Sequence, residues 1–123
     1  MHGTKAPTKS EKARMAKVAA LGCICCRLLE GREGELPVAE IHHLLECGRR
    51  RGHRFTVGLC FFHHRGVVPY GLCKQGAVES LGPSLADGTV PFRRRWGSDD
   101  FLLEMTDRLI SSEPSPAGRE SRS

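Results

Sequence analysis

Two pairs of potential metal ligands, set far apart in the chain, place the strongest constraint on how this sequence folds. Cys23 and Cys26 are separated by two residues, and Cys60 and His63 repeat that spacing. Thiolate and imidazole groups paired in this way are typical of tetrahedral structural zinc sites, in which each of two chain segments supplies two ligands. We therefore predict that these four residues hold a structural Zn²⁺ and join the two segments.

The other cysteines leave alternatives open. Cys25 is a possible replacement for Cys26 as a ligand, but two intervening residues suit a knuckle turn better. Cys47 and Cys73 are interpreted as free thiols. The six cysteines could also form disulfides in an exported protein. We favour metal, because the first ten residues contain no apolar run typical of a signal peptide and the cysteine spacing pairs with histidine.

Length and charge narrow the class of protein. A chain of 123 residues forms at most one small domain with a thin core, so a metal that joins its segments is expected. The net charge is +5, and residues 1–54 contain eleven of the nineteen Lys and Arg residues. A basic surface favours nucleic acid as a partner. No segment is long enough to span a membrane, and we expect a cytoplasmic monomer.

The pattern along the chain predicts an α+β domain over residues 10–110, between a basic leader (1–9) and a disordered tail (111–123). Ser10 is the expected N-cap of a helix over residues 11–21, which ends at Gly22. Short strands are predicted at residues 38–44 and 55–59, with a Gly/Arg-rich loop between them, and a short helix is predicted from Cys60. Residues 82–91 are expected to be irregular. A closing helix follows Ser98, and its predicted apolar face consists of Phe101, Leu102, Met105 and Leu109.

Three histidines remain beyond the predicted zinc ligands. His42 and His43 are adjacent in the first strand, so their side chains point to opposite faces. One could bind a metal while the other takes a proton from water, because neutral imidazole does both near pH 7. His64 follows His63 on the short helix and projects about 100° away around the axis, toward the strand. This set indicates a second metal and phosphodiester chemistry, although solvated histidines remain the alternative.

Arginines flank these histidines in the sequence. Their guanidinium groups suit bidentate contacts to phosphate, although a solvated charged loop would have the same composition. The predicted nucleic-acid-binding residues are Arg49, Arg50, Arg51, Arg54 and Arg65.

The order Cys-x2-Cys, His-His, Cys-x2-His-His resembles the HNH endonuclease superfamily. The segments 18–26, 39–43, 56–64 and 92–98 are more narrowly similar to the RecA-dependent nucleases of phages and prophages. The resemblance covers about residues 12–108 and implies a small zinc-stabilised ββα-metal fold with flanking helices. It also implies a metal-dependent DNA endonuclease that acts in recombination, with DNA and a RecA filament as partners.

Carried over by motif, the resemblance makes His43 the general base, with His42 and His64 as ligands of a catalytic Mg²⁺ or Mn²⁺. Two features depart from the family pattern. The HNH asparagine has no counterpart, since the chain contains no Asn, and His53 or a backbone carbonyl would have to replace it. Residues 70–75 also lack the histidine that the family tends to carry there. The alternative is therefore a catalytically inactive zinc module that binds DNA or a recombination protein.

Overall fold

The protein has a mixed α+β architecture, seen here in a computed structural model that describes residues 6–29 and 36–112. Most of residues 1–9 and 111–123, predicted to be a leader and a disordered tail, lie outside the described residues. The helices are α1 (Lys9–Leu21), α2 (Ile24–Leu28), α3 (Phe61–Arg65), α4 (Lys74–Leu81), α5 (Thr89–Trp96) and α6 (Asp99–Ser112). The strands are β1 (Ala39–His43), β2 (Leu45–Glu46), β3 (Arg49–Arg50) and β4 (Thr56–Cys60), and a 3-10 turn covers Leu85–Asp87.

The first helix begins at a different cap from the predicted one. Thr8 is the N-cap: its hydroxyl accepts from the backbone N–H of Glu11, and the Glu11 carboxylate accepts from the backbone N–H of Thr8. This reciprocal pair satisfies two helix-end donors, whereas Ser10 lies inside the first turn, so the prediction of Ser10 as the cap was wrong. The predicted stop at Gly22 is confirmed, with a φ of 82°.

A strand–strand–helix unit forms the centre of the fold, as predicted. β1 and β4 pair antiparallel, with His42 opposite Val57 and His43 opposite Thr56, and α3 follows β4 directly. α1 packs so closely on this pair that a Cβ added to Gly58 would lie 2.7 Å from the carbonyl oxygen of Gly22. Only glycine permits this approach, which brings the end of α1, and therefore Cys23, next to β4.

The predicted loop between the strands contains a second small hairpin. β2 and β3 pair antiparallel across a tight turn in which Cys47 and Gly48 both have positive φ, 54° and 79°. Positive φ at both central positions matches the right-handed twist of the flanking strands. The hairpin carries Arg49 and Arg50 into solvent.

Two of the C-terminal helices were not predicted. α4 follows the Pro69–Gly71 turn, and α5 begins at Thr89, inside the segment 82–91 that was expected to be irregular. Pro91 stands in the first turn of α5, where a missing N–H is tolerated. The helix after Ser98 is confirmed, but Phe101 was wrongly placed on its buried face, since its side chain is 43% exposed.

The core lies where these elements meet the cysteines. Its buried members are residues 23–26 and Cys60, which include four of the cysteines, together with Leu44 and apolar side chains from β4, α3, α4, α5 and α6. Trp96 is buried there, and its indole N–H donates to the carbonyl of Pro83 at 2.9 Å. Within the described residues, no helix is long and apolar enough to cross a membrane.

Candidate metal centre and active site

The two predicted ligand pairs fold into the same local structure. Cys23 is the N-cap of α2 and its Sγ accepts from the N–H of Cys26, while Cys60 is the N-cap of α3 and accepts from the N–H of His63. The spacing of two residues is thus that of a helix N-cap and its third helical residue. The first turn of α2 and the first turn of α3 therefore direct their potential ligand atoms toward the same point.

The four ligand atoms form a compact buried group. All of them lie within 4.8 Å of one another, and the residues Cys23, Cys26, Cys60 and His63 are all buried. His63 Nδ1 is 3.4, 3.7 and 3.3 Å from the three sulfur atoms, in chain order. Donors about 2.3 Å (sulfur) and about 2.0 Å (nitrogen) from one tetrahedral ion would be about 3.5–3.8 Å apart. The group could therefore hold a metal ion, and its geometry is consistent with structural zinc.

A carbonyl group fixes the orientation of the His63 ring. Its Nε2 donates to the carbonyl oxygen of Leu81 at 2.8 Å, which leaves Nδ1 as the atom that faces the sulfurs. Metal-binding histidines commonly use their second nitrogen in this way. The edge of the ring also packs against Trp96, with 5.2 Å between ring centroids.

Electrostatics within the group also favour a bound cation. Hydrogen bonds from Cys25, Cys26 and Cys60 lower the pKa of Cys23, whereas hydrogen bonds to Cys23 and Cys60, together with burial, raise that of Cys26. The sulfurs therefore compete for negative charge in a buried space. Only a cation lets three thiolates coexist there, so the donor set fits a divalent metal.

The remaining cysteines lie outside this group. Cys25 is buried, and burial raises the pKa of its thiol above the ordinary value. Cys47 and Cys73 are exposed, and none of the six cysteines is in a disulfide, so the alternative of disulfides finds no support in the structure. Cys73 caps α4, because its sulfur accepts from the N–H of Gly76.

The three other predicted site histidines lie around the end of β1. His42 faces α3, and its ring centroid is 5.0 Å from that of His64. Burial, followed by the nearby His64, lowers the pKa of His42 to about 4, so its imidazole is neutral near pH 7. His43 points to the other side of the strand, where its Nε2 lies 3.1 Å from Nδ1 of His53. Burial, Arg50 and His53 lower the pKa of His43.

Glu40 belongs to this site although the sequence did not single it out. Its carboxylate accepts from His64 Nδ1 at 2.9 Å and from Arg65 at 2.9 Å, and these two partners lower its pKa, Arg65 having the larger effect. Glu40 stands two residues before His42 and therefore shares its face of β1. That alternation was the available signal, but the contact with His64 depends on how α3 packs.

The comparison with protein families agrees with this geometry. Residues 7–111 match the family described as recombination enhancement, RecA-dependent nuclease. The chain belongs to this RecA-dependent nuclease family. No curated protein matches it. The family description supports a nuclease in recombination, with DNA as a partner.

The five predicted phosphate-binding arginines divide into two groups in the structure. Arg51 pairs with Asp100 at 2.9 Å, Arg54 donates to Ser10 at 2.6 Å, and Arg65 pairs with Glu40. Arg49 and Arg50 are exposed on the β2–β3 hairpin and form no ion pair with another described residue. Arg49 and Arg50 are therefore the two whose guanidinium groups are available to phosphate without breaking an internal contact.

Proposed function

We propose that this protein is a metal-dependent DNA endonuclease of the HNH type, of phage or prophage origin, that hydrolyses phosphodiester bonds. One observation carries the proposal: His42, His43 and His64 surround the end of β1, in a strand–strand–helix unit fixed by a buried Cys3His group. The match to a family described as RecA-dependent nucleases supports it. RecA dependence itself, cytoplasmic location and a monomeric state are parts of this proposal.

His43 is the proposed general base. Its lowered pKa keeps the imidazole unprotonated near pH 7, as a base requires. We assign the proton in its contact with His53 to His43 Nε2, because this leaves the Nδ1 lone pair to accept a proton from water. His53 would then orient the ring of His43, the role that asparagine has in other HNH enzymes.

His42 and His64 are the proposed ligands of a catalytic divalent ion such as Mg²⁺ or Mn²⁺. The residues fit this role: His42 is neutral, and Glu40 occupies Nδ1 of His64 so that Nε2 remains available. With two protein ligands, the other coordination positions are open to water and phosphate oxygens. The chemistry supplied by a bound ion is neutralisation of charge on the leaving oxygen.

A cleavage assay tests the proposal. The full chain would be incubated with supercoiled and single-stranded DNA, with Mg²⁺ or Mn²⁺, in the presence and absence of a RecA filament, beside a His43→Ala variant. We expect cleavage that the variant loses. A requirement for the filament would establish RecA dependence. If zinc-loaded protein cut nothing under any of these conditions, the nuclease proposal would be wrong.

The second candidate is a catalytically inactive zinc module that binds DNA or a recombination protein. The absence of any Asn in the chain favours it, because HNH enzymes use that residue to orient the base. The polar groups of the segment that lacks the late histidine are also engaged within α4: Cys73 caps the helix and Gln75 donates to Glu79. DNA binding without cleavage, unchanged by His43→Ala, would identify this module.

A further inference from the structure

Exposed apolar side chains gather in one groove of the molecule. Among the described residues, eight large hydrophobic side chains are exposed, and five of them line the same groove: Val38, Phe61, Val67, Tyr70 and Leu72. The groove has a volume of about 600 Å³, within the range of about 300–1,000 Å³ common to ligand sites. Soluble proteins seldom leave such a patch uncovered unless it binds something.

The groove begins beside the proposed catalytic histidines. Phe61 is the first residue of α3, and His64 and Arg65 follow it by three and four positions, so their side chains are neighbours on the helix. The guanidinium of Arg65 lies over the Phe61 ring, 5.3 Å from its centroid, and also pairs with Glu40, which holds His64. A DNA strand with a phosphate at His42 and His64 would therefore continue over the groove.

The chemistry of the lining suits flat, uncharged groups. No charged residue lines the groove among residues 6–29 and 36–112, and the guanidinium of Arg65 lies over the ring of Phe61 at its edge. Tyr70 is fully exposed and Phe61 is 45% exposed, so both offer aromatic faces. Proteins that bind single strands combine such faces, on which bases stack, with arginines that follow the backbone.

We propose that this groove receives unpaired bases of single-stranded DNA, stacked on Phe61 and Tyr70, next to the phosphate that is cut. The proposal rests on the proposed nuclease function and specifies its substrate as DNA with unpaired bases beside the cleavage point. Bases in an intact duplex are already stacked on one another, so a duplex gains little from the groove. Continuity with the histidines favours bases over a protein or a second copy of the chain as the occupant.

Binding to two matched strands, without divalent metal in the buffer, tests the proposal. One strand is oligothymidylate and the other is an abasic strand of equal length, which carries the same phosphates without bases. We expect the full zinc-loaded chain to prefer oligothymidylate at least five-fold. Phe61→Ala and Tyr70→Ala should each weaken binding to oligothymidylate about five- to a hundred-fold and leave binding to the abasic strand unchanged.

Two further variants act as controls. Phe101→Ala removes an aromatic ring of similar exposure (43%) that does not line the groove, and it should preserve the preference for oligothymidylate. Tyr70→Trp should retain that preference, and oligothymidylate should quench its emission, because the native Trp96 is only 2% exposed. Zinc content checks that each variant is folded.

Other outcomes would overturn the proposal. Groove variants that bind both strands like the wild type would exclude base stacking. If the groove variants lost only their response to a RecA filament, a protein would be the occupant of the groove. If the wild type were a dimer that Tyr70→Ala dissociates, the occupant would be a second copy of the chain. Failure of the nuclease function has a different signature: a chain that never cuts DNA but still prefers oligothymidylate would retain the groove proposal as a binding site.

Discussion

His63 and His64 are neighbours on α3, yet they belong to two sites with opposite environments. His63 is fully buried among three sulfurs, and its second nitrogen is used by a carbonyl group. The His64 side chain is 24% exposed and faces one other histidine, with a carboxylate at its back. The first site is closed and brings four potential ligands together, as structural zinc sites do. The second is open and has two proposed ligands, as a site that must admit water and phosphate requires.

This comparison shows that α3 carries one residue of the buried structural group, His63, and one residue of the proposed catalytic site, His64. The buried group fixes α3 relative to β4, and α3 in turn fixes His64 relative to His42. Disruption of the closed site should therefore abolish both the fold and DNA cleavage. Disruption of the open site should abolish DNA cleavage and leave the fold intact. The predictions below test this division, from the largest expected effect to the smallest.

Removal of a zinc ligand should have the largest effect. Cys60→Ser leaves three donors in a buried site, and structural zinc binding contributes about 10–16 kcal/mol to the folding of small zinc domains. We expect loss of bound zinc and of the cooperative thermal transition, measured by metal analysis and circular dichroism. Chelation of zinc in the wild type should give the same result.

Two other cysteines provide controls for that experiment. Cys47 is exposed on the β2–β3 hairpin, so Cys47→Ser should change the free energy of unfolding by no more than about 0.5 kcal/mol. Cys25→Ala should lower stability because it removes a buried thiol, yet retain one zinc per chain. Loss of zinc from Cys25→Ala would instead make Cys25 a ligand and would contradict the assignment of Cys26.

Removal of the proposed base should abolish chemistry without unfolding the protein. General-base catalysis contributes about 10²–10⁴-fold to rates, so His43→Ala should slow DNA cleavage by that factor. Zinc content and the melting temperature should stay near the wild-type values, because His43 is not a member of the buried Cys3His group. A variant that loses its zinc as well would contradict the division between the two sites.

A feature of these sites could be predicted from the sequence when it depends on residues that are close together in the chain, and could not when it depends on contacts between distant elements. The members of the buried Cys3His group could be predicted because each pair is a local helix-cap structure, which a spacing of two residues indicates. The two faces of β1 were predictable from strand alternation. Glu40 was not, because its contact with His64 is made across two elements. The ion pair of Arg51 with Asp100 could not be predicted either, because the two residues are 49 positions apart in the chain.

The helices divide in the same way. The α6 signal is local, a serine cap with acidic residues in the first turn, and that helix was predicted. α5 contains Pro91 and follows a stretch rich in Gly and Pro, a composition that favours turns. It is helical because Phe92 and Trp96, four residues apart, pack into the core beside the buried Cys3His group. Tertiary packing thus overrode the local signal there.

Glu40 offers a test inside the open site. Glu40→Gln removes the negative charge behind His64 and keeps the shape of the side chain. Loss of such a partner typically weakens metal binding about 10- to 100-fold, so we expect Mn²⁺ to bind more weakly by that factor, measured by calorimetric titration of zinc-loaded protein. Glu79→Gln is the matched control, because Glu79 accepts from Gln75 on α4. Equal Mn²⁺ affinities in all three proteins would contradict the assignment of His64 as a ligand.

The smallest predicted effect concerns Arg49 and Arg50 on the β2–β3 hairpin, which belong to neither the buried group nor the proposed catalytic site. Arg49→Ala and Arg50→Ala should each make the dependence of DNA affinity on salt less steep by about 0.9, the slope contributed by one phosphate contact to duplex DNA. Arg108→Ala, which removes an exposed arginine paired with Glu104 on α6, is the control and should leave the slope unchanged. Because the hairpin lies outside the buried group, zinc content and melting temperature should not change. If Arg49→Ala and Arg50→Ala keep the wild-type slope, the DNA backbone follows a different face of the molecule.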